Sequence, residues 1–201
     1  MSFYLIEEDE FIFVPYNLLA IDFEFTTTRF IKNKARKYIQ EIVEIGVIYK
    51  NDDITKEYTS IIKPRYFTEY KNKNKHNVCA GSFSYGDIEK GIDLSTMFEK
   101  IKNMYVKEET IWVSWGKAEY DILKMLCKIY GITLPFLKED YMDLSLEFRK
   151  FYNIKQNISL DKALSLLNIP IIDRHRALPD ARALMNIINK MLVQGYVLKE
   201  G

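Results

Sequence analysis

The stretch Ile21-Asp22-Phe23-Glu24-Phe25-Thr26 sets two acids into a short apolar run near the start of the chain. The run is brief and a threonine cluster follows it, which favours a strand over a helix. Residues two apart on a strand face the same side, so Asp22 and Glu24 share one face and the apolar residues share the other. Two close carboxylates repel each other and are costly to bury without a cation, and carboxylate oxygens suit Mg²⁺ or Mn²⁺. The alternative is an edge strand with a solvated acidic face.

A second informative segment, His175-Arg176-Ala177-Leu178-Pro179-Asp180, lies near the end of the chain. Apolar residues recur at helical spacing after it, and Pro179 and Asp180 both suit the first turn of that helix. His175 then falls in the preceding loop, where a neutral imidazole is a natural general base at pH 7. The alternative is a surface histidine beside an N-terminal helix acid. Taken together, the two segments indicate a site that binds divalent metal and activates water.

Several further motifs appear in a fixed order along the chain. The set resembles the DEDDh 3′–5′ exonucleases, and most closely their branch of KapD-type sporulation inhibitors, over roughly residues 17–194. Each motif is weak evidence by itself, whereas the ordered set is specific. Its members are Asp22-Phe23-Glu24-Phe25-Thr26, Glu41-Ile42-Val43-Glu44-Ile45-Gly46, Ser114-Trp115-Gly116, Asp143-Leu144-Ser145 and His175-Arg176-Ala177-Leu178.

The resemblance implies a role for each matched residue. Asp22, Glu24 and Asp180 would bind a first metal ion, and Asp22 would bridge to a second with the help of a third acid. His175 would take a proton from the attacking water. The resemblance also implies two Mg²⁺ or Mn²⁺ ions, which can stabilise the attacking and leaving oxygens of a phosphodiester.

The position of the third acid stays open between Glu119 and Asp121. Asp121 has the residue type that the family uses, and Ala-Glu-Tyr-Asp resembles the motif of the proofreading enzymes. Helix phase favours Glu119, because it projects along the apolar face that carries Leu123, whereas Asp121 lies about 200° from Leu123 toward solvent. If Glu119 takes the role, the chain departs from the family by an Asp-to-Glu exchange that lengthens one ligand.

Strands come first and then alternate with helices, which predicts a mixed sheet covered by helices. The resemblance implies an RNase H-like α/β fold with about five strands. Residues 1–16 are predicted as an N-terminal extension and residues 17–201 as the exonuclease domain. Strands are expected near 17–26, 42–50, 56–63, 111–115 and 141–144, and helices near 95–105, 117–130, 145–152, 159–167 and 180–194.

Composition sets the broad class of the protein. A length of 201 residues with 48% hydrophobic content suits one globular domain. No apolar run is long enough to span a membrane, no signal-peptide pattern is present, and two cysteines do not indicate a disulfide framework. These features predict a cytoplasmic protein. The net charge of +1 is not a nucleic-acid signature, but basic residues cluster after the acid pair, where they are candidates for phosphate contact: Arg29, Lys32, Lys34, Arg36 and Lys37.

The leading hypothesis is a metal-dependent 3′–5′ exonuclease that acts on the 3′ ends of single-stranded RNA or DNA, with RNA slightly favoured. Thr26 and Tyr120 adjoin the proposed ligands and are candidates for contact with the terminal nucleotide. One alternative is a DNA proofreading or repair exonuclease. The other is an attenuated nuclease, with Glu as its third acid, that binds 3′ ends or a partner protein.

Overall fold

A mixed sheet at the centre of the molecule carries the first acid pair. The computed structural model describes residues 2–6, 10–14, 17–32, 35–51, 54–66, 78–79 and 83–198. The strands of this sheet are β3 Asn17–Lys32, β4 Ala35–Lys50, β5 Thr55–Ile61, β6 Val78–Cys79, β7 Thr110–Ser114 and β8 Tyr141–Asp143. Five of them lie side by side in the order β5-β4-β3-β7-β8, and the sixth, β6, pairs with β3. The predicted mixed sheet of about five strands with flanking helices is confirmed.

Helices cover both faces of this sheet. Leu18 and Ala20 of β3 pack into one core cluster with the C-terminal helices. Leu19, Ile21 and Phe23 pack into another cluster with the helices at Leu94–Ile101 and Ala118–Tyr130. This alternation is the period of two expected for a central strand buried on both faces. The helices are α1 Tyr85–Glu89, α2 Leu94–Ile101, α3 Ala118–Tyr130, α4 Leu144–Phe151, α5 Leu160–Leu166 and α6 Ala177–Val193.

The hairpin of β3 and β4 is longer than predicted. Antiparallel pairing continues to Lys32 and Ala35, past a register shift after Glu24 that places an extra residue in β4. The prediction ended the first strand at 26, yet the threonines at 26–28 continue it because β-branched residues favour strands. The backbone of the basic cluster lies on this extension, except for Lys34, and the side chains of that cluster lie outside the described residues.

Residues 1–16, predicted as an extension, contain a small hairpin. Strand β1 (Ser2–Ile6) pairs antiparallel with β2 (Glu10–Val14) in a separate two-stranded sheet. Within the described part of the chain, this hairpin adds no edge strand to the main sheet. The domain boundary at residue 17 stays a prediction.

The edge of β3 opposite β4 is only partly covered. Strand β7 pairs in parallel with residues 17–20 of β3, and β6 pairs with Thr26 and Thr27. Since β4 occupies the other edge throughout, the described strands leave a gap beside residues 21–25. The gap opens next to Asp22 and Glu24, so a segment that follows β7 can approach both acids.

Candidate active site

Asp22 and Glu24 both lie beside this gap, on the same face of β3. They are 8% and 9% exposed, so both carboxylates are largely withdrawn from solvent. Phe23, between them, faces the opposite core cluster. Asp22 and Glu24 therefore share one face of β3, as the alternation of side chains along a strand predicts.

The N-terminus of α6 approaches this strand pair very closely at Gly46. Gly46 of β4 pairs with Asp22, and a Cβ on Gly46 would lie 2.1 Å from the carbonyl carbon of Ala177. Only glycine permits this approach without a shift of the backbone. The first turn of α6, which contains Asp180, is thereby brought to the acid pair.

Glu44 fixes the start of α6 from the same strand. Arg176 donates to both carboxylate oxygens of Glu44, at 2.7–3.1 Å, and the amide of Ala177 donates to Oε2 at 3.0 Å. Glu44 is 2% exposed, so this charge-assisted contact is a strong anchor. The helix begins at Ala177, three residues before the predicted start, because Glu44 caps that amide.

Carboxylates from β3 and α6 then converge. Asp22, Glu24 and Asp180 each offer an oxygen, and these atoms all lie within 4.8 Å of one another. Burial, followed by repulsion from Glu119 and Glu24, raises the pKa of Asp22 well above its ordinary value. Burial and the neighbouring Glu44 likewise raise the pKa of Glu24. The cluster therefore holds negative charge that the buried surroundings disfavour.

A fourth acid, Glu119, enters from α3 through the gap beside β3. Strand β7 ends at Ser114, whose hydroxyl donates to the carbonyl of Gly116 at 2.8 Å in a turn where Gly116 adopts φ +93°. The turn leads directly into α3. Glu119 is 9% exposed, and burial raises its pKa to about 7. Its Oε2 has no hydrogen-bond partner among the described residues.

Asp121 lies on the outer side of α3. Its side chain is 56% exposed and pairs with Lys117 at 3.6 Å. Of the two candidates for the third acid, the structure thus places Glu119 beside Asp22 and Asp121 toward solvent. This is the arrangement that helix phase favoured.

His175 lies in the loop that precedes α6, as predicted. It is exposed and adopts a left-handed backbone conformation, with φ +67°. Its charged form opposes the rise in the pKa of Glu24, which places the imidazole near the acid cluster. The ring is therefore accessible to solvent at the edge of a buried group of carboxylates.

No protein-family model matches the chain. A probable 3′–5′ exonuclease KapD from Bacillus subtilis (strain 168) is 26% identical over 148 residues, which is 73% of this chain and 70% of that protein. The chain is thus similar in sequence to a probable 3′–5′ exonuclease.

Solved structures confirm the RNase H-like fold of this chain. A full-length 3′-exonuclease has a TM-score of 0.72 at 15% identity over 94% of this chain, and cell-death related nuclease 4 has 0.68 at 16% over 90%. The chain spans 64% of the length of each of these two proteins. Pop2p of S. pombe, in its Mg²⁺- and Mn²⁺-bound form, has a TM-score of 0.59 at 16% identity, over 90% of this chain and 84% of its own.

The two residues predicted to contact a nucleotide are both buried. Tyr120 is 5% exposed, and its ring lies 5.0 Å from that of Tyr141 and 5.8 Å from that of Trp112. Thr26 is fully buried beneath its neighbours. The structure therefore gives Tyr120 a place in the core, and contact of either residue with nucleic acid stays a prediction.

Three residues of this site had no predicted role. Glu44 and Gly46 belong to a motif that was recognised in the sequence, but nothing in that motif indicates which helix packs against them. Arg174 forms an ion pair with Asp180 and also donates from Nε to Asp161 at 2.6 Å. A basic residue directly before His175 was the available signal for Arg174.

The donor set of this site fits a divalent cation. Three carboxylates converge, the pKa values of Asp22 and of the neighbouring Glu119 are strongly raised, and Glu119 Oε2 is buried without a hydrogen bond among the described groups. Oxygen donors of this kind suit Mg²⁺ or Mn²⁺. Asp22, Glu24 and Asp180 are the residues that would hold the ion, with Glu119 beside Asp22.

Two other features lie outside the acid cluster. Cys127 of α3 is a core residue, 3% exposed. In the described ranges, no helix has the length and apolarity that a membrane crossing requires.

Proposed function

We propose that this chain is a divalent-metal-dependent 3′–5′ exonuclease that removes nucleotides from the 3′ ends of single-stranded RNA or DNA. The observation that carries the proposal is the convergence of Asp22, Glu24 and Asp180 within 4.8 Å, with Glu119 beside them. The match to a probable 3′–5′ exonuclease supports the direction of digestion. RNA is slightly favoured because a fold neighbour is described as the RNase domain of yeast Pop2.

Bound Mg²⁺ or Mn²⁺ would stabilise the charge that develops on the oxygens of the scissile phosphate. The chain contributes the carboxylates that hold two such ions, in a setting where burial strengthens their interaction with cations. Glu119 lies next to Asp22, the carboxylate proposed to bridge both ions. Without these acids nothing would hold the ions at the scissile phosphate.

His175 is proposed to accept a proton from the attacking water. Its exposure leaves the imidazole accessible to water and substrate, and an imidazole is a suitable general base near neutral pH. Arg176 keeps this loop in place through its contact with Glu44, so His175 precedes a firmly anchored helix.

The test uses 5′-labelled single-stranded RNA and DNA of the same sequence, with Mn²⁺ or with chelator. We expect a metal-dependent ladder that shortens from the 3′ end, and a loss of at least about 100-fold in Asp22→Asn. In chelator Asp22→Asn should unfold at the same or a higher temperature than the natural protein, since it removes a repelled buried charge. Unchanged digestion by a folded Asp22→Asn protein would refute the proposal.

One observation favours a second candidate, an attenuated nuclease that binds 3′ ends or acts through a partner. Glu119 stands beside Asp22, where the family pattern has Asp, and the longer side chain changes the reach of one ligand. Binding of labelled 3′ ends without digestion, in Mg²⁺ and in Mn²⁺, would support this candidate. A mismatched DNA primer in the same assay separates a proofreading enzyme from one that prefers RNA.

A further inference from the structure

A buried arginine lies among the acids proposed to hold metal. The Nη1 atom of Arg174 forms an ion pair with Oδ1 of Asp180, and these side chains are only 11% and 8% exposed. Neither atom has a further hydrogen-bond partner among the described groups. One carboxylate of the proposed metal site is therefore already neutralised by a cation that belongs to the chain.

A second acid holds the arginine from outside the cluster. Asp161, in the first turn of α5, accepts from Nε of Arg174 at 2.6 Å, and its own side chain is 46% exposed. The guanidinium thus lies between an acid at the surface and an acid in the site. Its rigid, planar group of donors suits such a two-sided contact.

The charge of Arg174 reaches beyond Asp180. It opposes the effect of burial on the pKa of both Asp22 and Glu24. A group of four buried carboxylates without a cation would be strongly destabilising, and a single guanidinium relieves part of this repulsion. The position that it takes on Asp180 is one that a divalent ion also requires.

We propose that Arg174 is the resident counter-ion of the metal-free site, and that divalent metal must displace its guanidinium from Asp180 in order to bind. This inference rests on the proposed metal dependence and adds a means of regulating it. Asp161, which accepts from Nε at 2.6 Å, holds the guanidinium in its position on Asp180. The metal concentration at which the protein becomes loaded is then set partly by the strength of the Arg174–Asp180 contact.

The experiment measures Mn²⁺ binding by calorimetry and thermal unfolding in chelator, for the natural protein and three variants. Arg174→Gln should bind Mn²⁺ about tenfold more tightly, or about 1.4 kcal/mol, and should unfold at a lower temperature in chelator. Asp161→Asn loosens the same arginine without touching Asp180, so its affinity should rise by a smaller factor. Arg182→Gln, which breaks a surface pair with Glu57, is the matched control and should change neither affinity nor the gain in unfolding temperature on metal addition.

Each outcome decides between this inference and the proposed function. If the natural protein binds Mn²⁺ and digests nucleic acid but Arg174→Gln and Asp161→Asn bind it no more tightly, Arg174 is not the competing cation and only this inference fails. Binding by Arg174→Gln alone would support it. If no variant binds Mn²⁺, the metal-dependent function fails as well. Should Arg174→Gln not fold in chelator, the affinity of Asp161→Asn decides.

Discussion

The closest backbone approach at the site, between Gly46 and the start of α6, yields a sharp prediction for Gly46→Ala. The new Cβ would lie 2.1 Å from both the carbonyl carbon and the carbonyl oxygen of Ala177, and 2.2 Å from the amide nitrogen of Leu178. Ordinary contacts of this kind begin at 3.4 Å. The helix start must therefore move by at least the difference between 3.4 and 2.1 Å, which is 1.3 Å.

A shift of this size matters because Asp180 travels with the helix. Mg²⁺ tolerates little deviation from bonds of about 2.0–2.1 Å, and a misplacement of about 1 Å can cost roughly 100-fold in rate. We therefore expect Gly46→Ala to lose about 100-fold in digestion rate and to bind Mn²⁺ more weakly. Overpacking should also lower the free energy of unfolding by about 1–3 kcal/mol, which is roughly 2–12 °C in Tm for a chain of this size.

The measurement combines the labelled-strand assay with Mn²⁺ titration and thermal unfolding. Gly131→Ala is the control, because Gly131 ends α3 with φ +68° and a Cβ there would meet nothing within 4 Å, so the change adds only local backbone strain. It should lower Tm while leaving the digestion rate near that of the natural protein at temperatures where it is folded. A folded Gly46→Ala protein with natural Mn²⁺ affinity and rate would refute the idea that this contact positions Asp180.

Two further predictions concern single side chains. Glu119→Gln should reduce the digestion rate by at least about 10-fold, on the scale of a lost metal-orienting group. Asp121→Asn changes an exposed side chain, so its digestion rate should stay within about twofold of the natural rate. The reverse ranking in the same assay would assign the third acid to Asp121. Burial and the acceptor Asp140 raise the pKa of Tyr105 to about 12, so the neutral phenol stabilises the fold fully below pH 10 and this contribution is lost as pH rises from 10 toward 12. Tyr105→Phe should therefore show a smaller loss of unfolding free energy between pH 9.5 and pH 11.5 in urea titrations, and an unchanged loss would contradict this.

Much of the fold is predictable because its core elements obey simple periodicities. The alternation around Asp22 and the 3.6-residue repeat in α3 and α6 each follow from burial, and the structure places these elements within a few residues of their expected bounds. The long hairpin departs from its expected bounds because the threonines at 26–28 continue β3, whereas the prediction ends the strand at residue 26. Helix α6 starts early because its cap comes from Glu44, more than 130 residues away in sequence.

The acid cluster itself was accessible to sequence reasoning only in part. Strand phase places Asp22 and Glu24 on one face, and helix phase separates Glu119 from Asp121. The ion pair of Arg174 with Asp180 depends instead on a loop in which Asp173 and His175 both have positive φ, at 46° and 67°. Positive φ is uncommon outside glycine, although Asp and His adopt it more often than most residues, so the local signal is weak and tertiary contacts decide the conformation.

The site exists because the sheet leaves one edge of its central strand open. Had β7 continued beside β3 to Glu24, its backbone would have filled the space through which Glu119 approaches Asp22. The early end at Ser114, the tight turn at Gly116 and the missing side chain of Gly46 each remove bulk near the same two acids. Three separate segments can then place carboxylates around one point, and Arg174 is what this crowding of charge requires in the absence of metal.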